Sequence, residues 1–224
     1  MRYRIPKLII LALVVYAMVC MWHWKIGFTF FTQLSNLYMG LTVLLQLVIG
    51  QKKTGAMKFS ALVSILVTFL VYLLVLAPLV PGGIMAAYRE DHYASLSMHV
   101  LVPAVSCIDY WLNDRKSFRT SGWLVYALLP PVIWFAFILM LGAFGVRWHG
   151  MSAPYPFLNY LAPAGWFGWK PETAGYKTMG IGVAYTLVLM MGVFALVGWL
   201  VQRFSRDCRR CEAQMKNQDS GTHC

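Results

Sequence analysis

Six apolar stretches dominate the chain, at roughly residues 8–24, 28–50, 59–80, 95–112, 122–146 and 178–202. A helix needs about 20 mostly apolar residues to cross a hydrocarbon core of about 30 Å. Six such runs take up more than half of the 224 residues, and no interval between them is long enough for a soluble module. Only 12% of the chain is charged, where a soluble domain carries about 25%. The predicted fold is all-α, a bundle of six transmembrane helices over residues 1–203 with a basic, mobile tail at 204–224. The first run follows basic residues, as a signal peptide would. No small-x-small cleavage site precedes Trp22, His23 and Trp24, so it reads as a retained helix.

A net charge of +11 can signal a nucleic-acid surface, but its placement says otherwise. If the helices alternate, fourteen basic residues fall on one side: Arg2, Arg4 and Lys7, then Lys52, Lys53 and Lys58, then Arg115, Lys116 and Arg119, then five after Val201. Lys25, Arg89, Arg147, Lys170 and Lys177 fall on the other. Basic residues accumulate in cytoplasmic loops, so both termini are expected in the cytoplasm and no nucleic-acid partner is expected.

The cysteines say little. Cys20 and Cys107 lie in apolar runs and read as small hydrophobes. Cys208 and Cys211 form one C-x-x-C in the basic tail, a weak zinc signal without a second pair; palmitoylation is the better alternative, and an ordinary reduced tail is expected. Neither a metal nor a cofactor is expected.

The short connections at 50–58 and 113–120 imply antiparallel helical hairpins. Residues 81–93 hold a Pro-Gly-Gly breaker followed by Glu90 and Asp91. Residues 147–177 form the longest connection, rich in proline, glycine, tryptophan and tyrosine. Part of it is expected to fold back as a lid over the outer end of the bundle.

Polarity inside the spans needs its own reason, because a helix already satisfies its backbone. The second span opens with Thr29, Thr32, Gln33, Ser35 and Asn36. At 100° per residue Thr32, Ser35, Asn36 and Met39 share one stripe, which must face the protein interior. Hydrogen bonding between helices is the plain explanation. In the fourth span His99 shares a face with Pro103 and Ser106, and Asp109 lies nearer the cytoplasmic end, within reach of the basic loop at 115–119. Ionisable residues within a span mark functional sites. Thr32 lies ~6 Å and His99 ~7 Å below the outer interface at 1.5 Å per residue. A nucleophile and a base at one depth are what acyl chemistry on a lipid requires.

Phe30-Phe31-Thr32 with Ser35-Asn36, then Met98-His99 with Pro103 and Asp109, then Tyr155-Pro156-Phe157-Leu158 form an ordered set. It resembles the androgen-induced gene / androgen-dependent regulator family of multi-pass membrane proteins and their bacterial relatives, over spans two to six. The resemblance implies a threonine hydrolase of fatty acid esters of hydroxy fatty acids, with Thr32 and His99 as the catalytic pair. It also implies a bacterial cell membrane and a substrate drawn from the bilayer. Ser35-Asn36 stands where the animal members carry a less polar, acidic-containing pattern. A related branch with a cysteine nucleophile transfers acyl groups between lipids.

Three readings follow. In the first, a lipid ester hydrolase, Thr32 attacks, His99 moves the proton, Asn36 or a backbone N–H receives the oxyanion, and Ser35 and Asp109 support the site. In the second, a lipid acyltransferase uses the same pair. In the third, a non-enzymatic lipid-binding bundle uses both residues only to join helices.

Overall fold

Apolar sequence of helical length becomes helix almost throughout. The computed structural model describes residues 3–22, 25–79, 83–115, 122–175 and 177–221. It is 78% helix. The elements are α1 (Ile5–Cys20), α2 (Phe31–Ile49), α3 (Gln51–Val71), α4 (Gly83–Leu96), α5 (Val102–Asp109), α6 (Trp123–Ala143) and α7 (Val183–Gly221). Five helical segments are long and apolar enough to cross a membrane: Phe31–Ile49, Gln51–Leu76, His92–Asp114, Trp123–Ala143 and Val183–Arg206. The first run, α1, is apolar but has only 16 residues, or about 24 Å of helix.

Gly50, at φ 89°, turns α2 directly into α3, and the two helices pack along their lengths as the short connection predicts. The core between α1, α2, α3 and α5 is aliphatic and includes Ile10, Met39, Leu62, Ile65 and Val102. Cys20 and Cys107 pack half-buried against it. Cys208, Cys211 and Cys224 lie outside the described side chains, as do Glu90 and Asp91.

The connection at 81–93 proves largely helical. From Gly83 the chain runs as α4, a π-turn at Ser97–Leu101, α5 and a second π-turn at Tyr110–Asp114. This long helix bends at His92 and Tyr93, whose φ values are 56° and 65°. The Tyr16 hydroxyl donates to the His92 carbonyl there, at 2.5 Å. Pro103 has no N–H to return to the carbonyl four residues back, that of His99. In the turn just before it the ladder widens, and the Val102 N–H reaches the Ser97 carbonyl. A third π-turn, Tyr72–Leu76, extends α3.

The connection after α6 is ordered without being a helix. Trp148, Met151, Tyr155, Phe157 and Leu158 are buried in it and form a second core with Ile138 of α6 and Val183 of α7. Its carbonyls at Gly165 and Trp166 accept the N–H groups of Val183 and Ala184, which have no partner inside α7. Gly182 allows this closeness, because a Cβ there would stand 2.6 Å from the Trp166 carbonyl oxygen. The loop therefore covers one end of the bundle, here called the loop end. The opposite end carries Tyr3 and the start of α1.

Candidate functional site

Thr32 is the second residue of α2, and Phe30 before the helix is extended. Its N–H is one of the donors a helix start leaves unpaired. Tyr155, from the loop, supplies the partner. The phenol oxygen accepts the Thr32 N–H at 3.4 Å and shares a hydrogen bond with Thr32 Oγ1 at 3.3 Å. The ring is held by stacking on Phe157, with centroids 5.2 Å apart, and by edge contact with Phe30. Burial raises the Tyr155 pKa above that of a free phenol, and the bonds to Thr32 oppose the shift only in part. The group is therefore a neutral donor near pH 7.

Thr29, one turn earlier, is tied to the same end. The Trp134 Nε1–H donates to its carbonyl at 2.9 Å and the Trp148 Nε1–H to its Oγ1 at 2.7 Å. Ser35 and Asn36 serve the Thr32 peptide group. Ser35 Oγ donates to the Thr32 carbonyl at 3.0 Å and pairs with Thr68 Oγ1 at 3.2 Å. Asn36 Nδ2 donates to the same carbonyl at 2.9 Å and to the Met98 carbonyl at 3.4 Å. Two carbonyls thus engage the Asn36 amide, and Tyr155 is the side-chain partner of the Thr32 hydroxyl.

His99 occupies the first π-turn of the long helix and Tyr72 the π-turn after α3. Their rings stack at 3.5 Å with a 10° tilt. The Tyr72 hydroxyl is fixed in turn by the Ala87 carbonyl and Ser95 Oγ, at 2.9 and 2.7 Å. Among the described residues His99 Nδ1 has no hydrogen-bonding partner, although the residue is buried. No hydrogen bond joins Thr32 to His99. The link between them runs through Asn36, whose amide touches the backbone of Thr32 and of the residue before His99.

Thr32 and Tyr155 open on a cavity of ≈ 50 Å³ whose far walls are Pro131 and Trp134 of α6 with Met190 and Phe194 of α7. His99 does not line it. Phe31 and Trp134 separate this cavity from a groove of ≈ 600 Å³ between α2, α3 and α6, where Ser35, Ser60 and Ser64 punctuate an apolar lining.

Among the described residues the partners of Asp109 come from inside the bundle. Its carboxylate accepts from Lys7 Nζ at 2.7 and 2.9 Å, from Lys58 Nζ at 2.7 Å and from Asn113 at 2.9 Å. Lys7 also binds Asp114, at 2.9 Å, and Gln46 donates to the other Asp114 oxygen at 3.1 Å. The side chains of both lysines and both aspartates are 0% exposed. Partners this close had been available inside the bundle all along, from α1 and α3. Residues 116–119 lie outside the described set. Lys7 and Lys58 thus leave the tally of loop charges, and twelve basic residues still face five.

Tyr155, Tyr72, Lys7, Lys58 and Asp114 carry no predicted role in the sequence reading. Two lysines and two aspartates, each within about one turn of a span end on the same side, were the available signal for the ionic cluster. No protein-family model matches the chain, and neither a curated protein nor a solved structure matches it.

Proposed function

We propose that the chain is a six-span protein of a bacterial cell membrane, both termini cytoplasmic, with a lipid ester hydrolase centre at its loop end. The observation that carries this reading is the Thr32–Tyr155 pair: a buried hydroxyl and a neutral phenol, 3.3 Å apart, on the wall of an apolar cavity. The motif resemblance to threonine hydrolases of fatty acid esters of hydroxy fatty acids supports it independently.

In the proposed reaction Thr32 Oγ1 bonds to the ester carbonyl carbon, and its proton passes to His99 through an intervening water. The carbonyl oxygen becomes an oxyanion, for which the Tyr155 O–H is the nearest side-chain donor. Collapse breaks the C–O bond, and His99 returns the proton to the leaving alkoxide. Water then cleaves the acyl-threonine by the same steps, giving the acid and restoring the hydroxyl. The space proposed for an acyl chain is the apolar groove of ≈ 600 Å³ on the other side of Phe31 and Trp134. The substrate is a lipid taken from the bilayer.

Labelling with a fluorophosphonate probe tests the assignment. Wild-type protein and Thr32→Ser should label, and Thr32→Ala should not. Tyr155→Phe should lower the labelling rate by about 10²-fold, the usual effect of losing one oxyanion donor. Equal labelling of Thr32→Ala would end the reading and favour the lipid-binding alternative. Dependence of product on an added lipid alcohol would instead mark acyl transfer.

Topology is tested separately in a cysteine-free background. Cysteines placed at Lys52 and Lys53, both exposed, should react with an impermeant maleimide only after the membrane is opened. Cysteines at Trp169 and Glu172 should react from outside. The reverse pattern would put the Thr32 cavity at the other leaflet.

A further inference from the structure

Three buried polar atoms around His99 lack a partner. Among the described residues Asn36 Oδ1, His99 Nδ1 and Ser106 Oγ have no hydrogen-bonding protein group, yet Asn36 and Ser106 are 0% exposed and His99 is 5% exposed. Ser106 departs from the habit of its peers. Thr42, Ser64, Thr68 and Ser205 each return the hydroxyl to the carbonyl four residues back.

Their positions are related. Lys58 Nζ touches both Met39 Sδ, at 3.6 Å, and Asp109 Oδ2, at 2.7 Å, so α2, α3 and α5 meet at that level. Asn36 lies three residues from Met39 toward the loop end, and Ser106 three residues from Asp109 in the same direction. Each step is about 4.5 Å along its helix. From Asn36 the amide reaches the Met98 carbonyl, beside His99. The unpartnered atoms therefore occupy the interval between the ionic cluster and the imidazole. A buried polar atom left unpaired is destabilising, and internal water is its usual partner.

We propose that Asn36, Ser106 and His99 line an internal water-binding compartment that joins the ionic cluster to the imidazole and carries protons between them. The charged groups at its far side are Lys7 from α1, Lys58 from α3, and Asp109 and Asp114 from the long helix; α2 contributes the neutral Gln46. Beyond them the Tyr3 ring lies over Lys7 Nζ at 4.9 Å, and Tyr3 is partly exposed. Tyr3 is thus a partly exposed neighbour of the cluster at this end. Each transfer moves a proton along hydrogen bonds, from imidazolium to water and on to a carboxylate, or in reverse, with no other bond changed. Use of this path by the reaction centre rests on the hydrolase reading; the compartment does not.

The experiment is water-edited solid-state NMR on the full chain, isotope-labelled, in lipid bilayers. Polarisation from water should reach the side chains of His99, Asn36 and Ser106 as fast as that of Tyr3, and several-fold faster than Met39 and Val102. Ser106→Val should slow the transfer to His99 to the rate of those apolar neighbours, and Ser106→Thr should preserve it. Slow transfer to His99 in the wild-type protein overturns the proposal without any variant. Fast transfer that survives Ser106→Val also overturns it, since water would then arrive by another route. Thr32→Ala should leave every transfer rate unchanged, which keeps failure of the hydrolase reading distinct from failure of the compartment.

Discussion

Asp109→Ala should be the most destabilising single substitution in the chain, at about 3–5 kcal/mol, because it leaves charge buried without a partner. Asp109 accepts short hydrogen bonds from both Lys7 and Lys58. Among the described carboxylates Lys58 would be left with Asp114 at 4.0 Å, beyond hydrogen-bonding distance. The melting temperature of the purified protein in detergent should fall sharply, together with its yield. Removing the matched cation as well should reverse most of the loss. In Asp109→Leu with Lys58→Met, the remaining Lys7–Asp114 pair keeps its 2.9 Å contact and no net charge is stranded. Apolar replacement of a balanced buried pair is often neutral or stabilising. A double variant less stable than Asp109→Ala alone would show that the cluster is not organised by charge balance.

Thr32→Ala and His99→Ala should each abolish hydrolysis of a lipid ester in liposomes, with the stability within about 1 kcal/mol of wild type. Thr32→Ser should retain turnover, because it keeps the hydroxyl. The double alanine variant should be scarcely worse than either single one, since catalytic partners act as a unit and their effects do not add. If the two residues only hold helices together, the losses should appear in stability and should add. The Thr32 Oγ1 bond goes to Tyr155 and the His99 ring stacks on Tyr72, so the two side chains have different partners and additivity is informative. Full turnover by folded Thr32→Ala protein would refute the mechanism.

Hydropathy made most of the fold legible, because a run such as 122–146 has no other way to satisfy its backbone in hydrocarbon. The polar stripe of α2 was legible for the same reason: Thr32, Ser35 and Asn36 do face inward. The ionic cluster was not. A lysine next to an apolar run reads as an aqueous flank, and only the fold shows that Lys7 and Lys58 turn inward to aspartates 102 and 51 residues away. The π-turns were equally hidden, since one extra residue per turn leaves the hydropathy pattern nearly unchanged. They matter here because His99 and Tyr72 both sit in them. Tyr155 was visible as part of a motif, but its partnership with Thr32 depends on the path of a loop across the bundle, which no local pattern encodes.

The reach of the Lys7 contact also orders the assembly of the protein in time. Lys7 leaves the ribosome 102 residues ahead of its partner Asp109, on the order of 5–20 s at ordinary rates of synthesis. Throughout that interval its ammonium lacks the carboxylate that neutralises it in the folded bundle. Lys58 waits 51 residues for the same partner. A chain interrupted before Asp109 therefore leaves both cations without the group that joins them.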